Sequence, residues 1–498
     1  TLINLNKLEE AELYARNAVN ISSGTSKELA KAYLNLGTIL QGQGKLEESA
    51  IVYKKKISEY KNQPEILTEL IHVLSKLSLW DEIDKYLNLL KNIDINKKSF
   101  NPMKIFHLED EPSSLLKTAT HYFNQNYTRF HSDINPIKKE KIHLGYFSAD
   151  LNAHPVMYLI NRIIKLHDHT KFKIFIYSFT QKEDTYTQSL KEFPFIFRSI
   201  NEKNDLDVVN LAREDKLDIA VDLMGYTLNN RMNLFSYRVA PIQINYLGYP
   251  GTTGSTSIDY LIADKIVIPN DYQKYYSEKI IYMPNSYMPF DNKRKSSSRV
   301  FSRSDFDLPE EAFVLAAFHK NYKITPNEIN SWSRILIKIP RSLIWISDIE
   351  EPAKSNLLRH FQSQGIDSEK IIFAPRMDSI EEHLARHSCA NLFIDTFKYN
   401  GHSTAIDALW KGLPVITLMG KSFASRVSAS LLTTLEMKQL IATDIDQYEN
   451  IIINLAENPQ KLNDLKNKLI SNKDNHPLFD SENYINHLEN IYFELWES

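Results

Sequence analysis

A single cysteine, Cys389, stands among 498 residues, so no internal disulfide can form and a disulfide-stapled secreted scaffold is excluded. Long apolar runs are missing: Asn161, Arg162 and Lys165 interrupt the best candidate for a membrane span. Charge of one sign is missing too. The 59 basic and 62 acidic residues leave −3, which gives no pull on nucleic acid or an anionic membrane. No signal-peptide pattern opens the chain, and Thr1-Leu2-Ile3-Asn4 has no initiator Met, so a cut through a longer cytoplasmic protein is expected. Glycine is scarce, 13 in all against an average of about 7%. Gly225, Gly248, Gly251, Gly254, Gly401, Gly412 and Gly420 therefore mark tight turns or close backbone approaches.

What is present begins with a repeat. Leu8-Glu9-Glu10-Ala11 returns as Leu46-Glu47-Glu48-Ser49 and more weakly as Trp80-Asp81-Glu82-Ile83. With Tyr33, Leu34, Gly37, Leu40, Gly44 and Tyr53 between, residues 29–62 have tetratricopeptide spacing, in which a small residue lets paired helices pack closely. The match is poor afterwards. Such units stack about three deep for stability, so further repeats are expected before residue 1. Their concave face would hold peptide or protein partners.

Six regions follow from the pattern: helical repeats over 1–93, a connecting stretch with a few short helices over 94–140, an α/β domain over 141–290, a Lys/Arg/Ser-rich linker over 291–305, a second α/β domain over 306–478, and a packing helix over 479–498. Strands are predicted at Ile142–Ser148, Lys171–Phe179, Leu217–Leu223 and Ile242–Leu247. A second set lies at Phe313–Phe318, Leu343–Ser347, Ile371–Ala374, Asn391–Asp395 and Pro414–Leu418. Helical stretches alternate with them, which predicts two doubly wound parallel sheets facing across a cleft. The last helix, near 480–496, carries Ile485, Leu488, Tyr492 and Leu495 on one face.

The strongest constellation runs from Asp395 to Asp407. A strand ends at Asp395, Gly401 turns the loop, and a helix starts at Ser403. Its first N–H groups, with the Ser403 and Thr404 hydroxyls and His402, form a phosphate-ready site; the same donors equally fit a simple N-cap at Ser403. Asp407, one turn on, is either a surface residue or a ribose ligand. After the first strand of the second domain, Lys320 and Lys323 precede a helix opening at Pro326, where a lysine can meet a diphosphate. His154 sits at a helix mouth beside the cleft, as a cap or as a group that orients an acceptor hydroxyl. Gly248-Tyr249-Pro250-Gly251-Thr252-Thr253-Gly254 is neither a dinucleotide fingerprint nor a P-loop. The acidic pairs Asp205/Asp207, Asp305/Asp307 and Asp444/Asp446 read as helix caps, and no His/Cys cluster has zinc spacing. Metal-independent chemistry with no cofactor is expected.

Taken in order, His154-Pro155, Arg238-Val239-Ala240-Pro241-Ile242-Gln243, Leu247-Gly248-Tyr249-Pro250-Gly251-Thr252, Tyr276-Ser277-Glu278-Lys279, Tyr282-Met283-Pro284, Tyr322-Lys323-Ile324, Glu381-Glu382-His383, Asn400-Gly401-His402-Ser403-Thr404 and Ala424-Ser425-Arg426-Val427 resemble the O-linked N-acetylglucosamine transferases and their SPINDLY-like and bacterial relatives. The resemblance implies a GT-B fold and inverting, metal-free transfer of N-acetylglucosamine from UDP-N-acetylglucosamine to Ser or Thr of proteins held by the repeat groove and the cleft. It implies Lys323 at the departing diphosphate, His383 on the uracil, Asp407 on the ribose, and His402, Ser403 and Thr404 on the phosphates. Gly251 and Thr252 would lie near the donor sugar, Lys320 and Arg386 would join the donor site, and His154 would be base or acceptor positioner. Departures are Lys320 where the family often has Gln, Ile380 where it has Lys, and Asp218 where animal enzymes have His. The animal enzymes' long insertion between the catalytic halves is missing. Alternatives are another donor (GDP-fucose or a UDP-hexose) or an inactive repeat scaffold. Asn400-Gly401-His402 and His154-Pro155 favour the N-acetylglucosamine branch.

Overall fold

The computed structural model describes residues 8–21, 26–55, 57, 63–93, 99–128, 130, 134, 139–295, 297–473 and 476–498. The predicted repeat segment 29–62 loses residues 56 and 58–62 to this limit, and the connecting stretch loses 94–98, 129, 131–133 and 135–138. Among the described residues five helices come first: α1 (Leu8–Ile21), α2 (Ser26–Gly42), α3 (Leu46–Lys54), α4 (Pro64–Lys76) and α5 (Trp80–Lys91). All three copies of the acidic motif start a helix, at Leu8, Leu46 and Trp80, which puts carboxylates in the first turn where the helix dipole favours them. The array thus continues past the stretch with good repeat spacing. Gly37 explains the α2–α3 contact. A Cβ there would overlap the Tyr53 ring, and the Ser49 hydroxyl donates to the Gly37 carbonyl at 2.9 Å.

The repeats and the segment after them are bolted to the second α/β domain. Asn356 Nδ2 donates to the Leu77 carbonyl at 2.7 Å, Asn321 donates to the Lys76 carbonyl, and the rings of His72 and His107 lie 5.3 and 5.4 Å from that of Tyr322.

The stretch 94–140 differs from expectation. It holds a one-turn 3-10 helix (Pro102–Ile105) and then one continuous helix of 15 residues, α6 (Pro112–Asn126), where a few short helices were predicted. The polar sequence hides a buried face of Leu115, Thr118, Ala119 and Phe123. Nor is the stretch a loose connector. A Cβ on Gly254 would overlap the Ala119–Thr120 backbone, Phe106 packs on Tyr249 and Tyr399, and Asp110 accepts from the N–H groups of Lys421 and Ser422, both at 2.9 Å.

The first sheet is parallel with order β3-β2-β1-β4-β5-β6-β7: β1 (Ile142–Ser148), β2 (Phe172–Ser178), β3 (Ile196–Ser199), β4 (Ile219–Asp222), β5 (Ile242–Asn245), β6 (Tyr260–Ala263) and β7 (Lys279–Tyr282). Its helices are α7 (Pro155–Lys165), α8 (Thr185–Lys191), α9 (Asp205–Glu214) and α10 (Met232–Ser236). Strands β3, β6 and β7 escape sequence reading, β3 and β7 because they are only half-buried. The second sheet, order β10-β9-β8-β11-β12-β13, holds β8 (Phe313–Ala317), β9 (Ser342–Ser347), β10 (Ile371–Ala374), β11 (Leu392–Ile394), β12 (Val415–Leu418) and β13 (Ile441–Ala442). With it go α11 (Pro326–Lys338), α12 (Ala353–Ser363), α13 (Ile380–Ala385), α14 (Ser403–Trp410), α15 (Val427–Thr434), α16 (Ile445–Glu457) and α17 (Pro459–Asn472). In both sheets the order reverses beside the first strand, so ligand crevices open at the carboxyl ends of β1/β4 and β8/β11.

The last helix, α18 (Ser481–Glu497), crosses back to pack on α7 of the first sheet. Glu489 accepts from the Asp168 N–H and pairs with His167 Nδ1 at 2.9 Å, and the Tyr492 hydroxyl reaches that of Tyr146. The acidic pairs are indeed spent on local structure, with one correction: Asn204, not Asp205, caps α9, while Asp205 pairs with Arg231. Asp305 completes a capping box with Ser302, and Asp444 caps α16. Asp218 holds Lys139 and the His143 N–H at the start of β1, away from the crevice.

Two outcomes follow from this packing. Gly37→Ala should cost about 1–3 kcal/mol of stability by overpacking, and Tyr53→Leu should recover part of it; calorimetric melting of the two single variants and the double variant checks this, and additive losses would refute the contact. Burial holds the His107 pKa down at about 3, with Lys398 and Lys323 adding to it. Below the ordinary histidine value of about 6.5 only the unfolded chain takes up this proton, so stability is full above it and is lost as the pH falls towards 3. Denaturant melts at pH 7, 6 and 5 should show that fall, less steeply in His107→Gln.

Candidate active site

The site is built on the end of β11. Asp395 is fully buried, and burial raises its pKa to about 6 although its bonds oppose the rise. The carboxylate accepts from the Thr396 N–H at 2.9 Å, the Gly401 N–H at 2.6 Å and the Thr417 hydroxyl at 2.9 Å. One side chain thus fixes strand, loop and neighbouring strand. Gly401 must lack a side chain because its Cβ would sit 2.7 Å from Thr404 Oγ1 and 3.0 Å from His319 Cε1. The helix begins as expected at Ser403, but His402 rather than Ser403 occupies the N-cap position, and no side chain caps the helix. His402 instead points its Nε2 at the Ala424 carbonyl, 3.3 Å away. The first-turn N–H groups of α14 consequently lack an intrahelical partner.

Lys323 ends a short 3-10 turn after β8. Its Nζ donates to the Asn400 carbonyl at 2.8 Å and lies 3.6 Å from the centroid of the Tyr399 ring. Burial draws its pKa down to about 7, with Asp395 pulling the other way. The ammonium is therefore held against the loop that presents α14, ready to lose or keep its proton near neutrality. Lys320 is exposed. It lines the mouth of a cavity of about 740 Å³ between the repeats and the second sheet, with Lys45 and Lys76 from the repeats and His383 and Thr404 from the sheet.

His383 lies on α13, its ring 5.8 Å from Phe318 and 5.0 Å from His387, and burial holds it well below the ordinary histidine pKa. Arg386 is buried, its guanidinium 4.3 Å from the Phe318 ring and its Nη1 bonded to the Pro375 carbonyl at 2.6 Å, while its Nε is buried without a partner. The Thr252 hydroxyl is taken by Glu278 at 2.7 Å, and Gly251 faces the Phe106 ring; that loop braces the connecting segment. Asp407 is buried and paired with Arg294 at 2.6 Å.

On the first sheet's side, His154 is the N-cap of α7, its Nδ1 accepting from the Val156 N–H at 3.3 Å and standing 3.5 Å from Asp150. Burial lowers its pKa to about 4. A neutral imidazole whose Nδ1 accepts carries its proton on Nε2, which leaves Nε2 as the donor of the His154 ring. α7 and α14 pack together across the cleft. Sequence reading missed Asp395 as an anchor, the Asn400 carbonyl, and Arg294. Asp395 could have been found as the strand-end acid before a glycine turn; Arg294 had no signal, because its partner lies 113 residues away.

Two parallel doubly wound sheets, with a lysine and an uncapped helix N-terminus converging on one crevice, form the two-domain architecture of the GT-B fold. The sequence pattern of glycosyl transferase family 41 matches residues 115–297 and 290–488, and the chain belongs to that family. It is 33% identical over 372 residues to a protein named probable UDP-N-acetylglucosamine–peptide N-acetylglucosaminyltransferase SEC from Arabidopsis thaliana, covering 72% of this chain and 38% of the relative. It is 28% identical over 382 residues to the SPINDLY protein of the same description from Solanum lycopersicum, covering 75% and 41%. The chain thus spans about two fifths of the length of these curated relatives. A solved structure of a mutant O-GlcNAc transferase from Thermobaculum terrenum superposes with a TM-score of 0.82 at 22% identity, over 99% of this chain and 95% of that one, and it shares the fold. Among the described residues no helix is long and apolar enough to cross a membrane.

Asp395→Ala leaves the Gly401 and Thr396 N–H groups and the Thr417 hydroxyl unpaired, and should cost about 3 kcal/mol. Asp395→Asn keeps an acceptor there and should lose less than half as much. Equal melting temperatures for the two variants would remove Asp395 from the anchoring role.

Proposed function

We propose that this chain transfers N-acetylglucosamine from UDP-N-acetylglucosamine to Ser or Thr hydroxyls of proteins, with inversion and without a metal. The observation that carries this reading is Lys323, enclosed against Tyr399 and the Asn400 carbonyl beside the open N-terminus of α14. As the sugar bond breaks, negative charge grows on the leaving diphosphate. An ammonium and first-turn N–H groups fixed before the reaction favour that state over the ground state. His383 would stack on the base, Ser403 and Thr404 would hold the phosphates, and Asp407 the ribose. His154, donating from Nε2, would position the acceptor hydroxyl. The cavity between the repeats and the second sheet, reaching Lys320 and Thr404, gives an acceptor chain a way in.

Thermal-shift titration with UDP, UDP-N-acetylglucosamine and GDP-fucose tests the donor. The uridine ligands should raise the melting temperature; a preference for GDP would move the assignment to a fucosyl donor, and no response to any would favour a repeat scaffold. Transfer itself is read by mass spectrometry of proteins incubated with labelled donor.

Lys323→Ala should reduce transfer to background with the fold and most UDP affinity intact, and wild-type turnover in that variant would refute the leaving-group role. The Lys323 ammonium exists below its pKa of about 7. For the free enzyme kcat/KM should therefore fall as pH rises through about 7, and this limb should vanish in Lys323→Arg. His154→Ala should slow transfer by a smaller factor than Lys323→Ala.

A further inference from the structure

The segment between β7 and β8, which sequence reading takes for a spacer, sends one side chain inward. Arg294 is only 7% exposed. Its Nη1 donates to Asp407 Oδ1 at 2.6 Å, and its guanidinium lies 5.5 Å from the Tyr158 ring on α7 and 5.6 Å from that of Phe290. Its other terminal nitrogen, Nη2, is buried and has no hydrogen-bond partner. A guanidinium offers donors in a rigid fork and no acceptor, and leaving a buried charged donor unmade is costly. A buried donor beside Asp407 is thus left without an acceptor oxygen.

The position says which oxygen. Asp407 stands one turn into α14, behind the first-turn N–H groups that suit phosphate. Burial holds the His383 pKa down, His387 and Arg386 add to this, and the charge of Arg294 acts in the same direction. The Ser297 N–H donates to the Glu381 carbonyl at 3.2 Å, pinning the segment on α13 next to Ile380. Arg294 thus lies between a base end at His383 and a phosphate end at Ser403 and Thr404, at the level of a nucleoside's sugar.

We infer that Arg294 and Asp407 act as a two-sided clamp on the ribose of a nucleoside diphosphate, Asp407 accepting from one hydroxyl while Arg294 Nη2 donates to the oxygen of its neighbour. This rests on the nucleotide-sugar reading above. The clamp supplies a cation at the nucleoside from the interdomain segment, next to a helix position occupied by the uncharged Ile380. It also makes donor binding depend on an element that joins the two sheets.

Isothermal titration of the full chain with UDP, 2′-deoxy-UDP and 3′-deoxy-UDP tests it. Wild type should bind UDP about tenfold more tightly than at least one deoxy analogue. Arg294→Met should weaken UDP about tenfold and bring that analogue and UDP within twofold of each other. Arg294→Lys keeps a charge against Asp407 but loses the fork; it should melt close to wild type and still lose the discrimination, which separates ribose binding from a merely structural ion pair. If both variants bind UDP and discriminate like wild type, the clamp is overturned while the nucleotide reading stands. If wild type binds no UDP, both fall together.

Discussion

The buried carboxylate of Asp395 is the constraint on which the candidate site depends. An acid taken out of water favours its neutral form, and only donors aimed at its oxygens make the ionised form tolerable. Here those donors are the loop N–H groups of Thr396 and Gly401 and the Thr417 hydroxyl of the next strand. Satisfying the acid and shaping the loop are one event. The loop so fixed offers the Asn400 carbonyl to Lys323 and leaves the first turn of α14 facing the cleft. Arg294 and Asp407 repeat the principle one turn along: a buried ion pair is weak evidence of stability and better evidence of a geometry that must be kept.

Around that site the chain is tied across its halves more often than a pair of independent domains requires. The connecting segment gives Phe106 to Tyr249 and Tyr399, from the two sheets, and Asp110 to the turn at Lys421–Ser422. The repeats reach Tyr322, beside Lys323, through His72, and the connecting segment reaches the same ring through His107. Strain or ordering in the repeats therefore has a short covalent and packed route to the lysine loop.

Much of this was legible in the sequence, for physical reasons that can be named. Buried parallel strands read as continuous apolar runs, so β1 and β10 fall where Ile142–Ser148 and Ile371–Ala374 predict. Scarce glycines carried information: Gly37 and Gly401 each stand where a side chain has no room. What stayed hidden depends on partners far along the chain. α6 reads as polar because its buried face is half hydroxyls and alanine, and nothing near Arg294 announces Asp407. Thr252 has the right identity in the right motif, yet Glu278 already takes its hydroxyl. A motif fixes which residue is present; only the packing decides whether its donors are free.

The return of α18 to the first sheet carries a consequence for biogenesis. His167 and Tyr146 lie on elements made early, while Glu489 and Tyr492, which complete them, are made more than three hundred residues later. During synthesis the first sheet must therefore wait with one outer layer unfinished, and the nascent chain cannot seal its first-built half until residues 481–497 have left the ribosome.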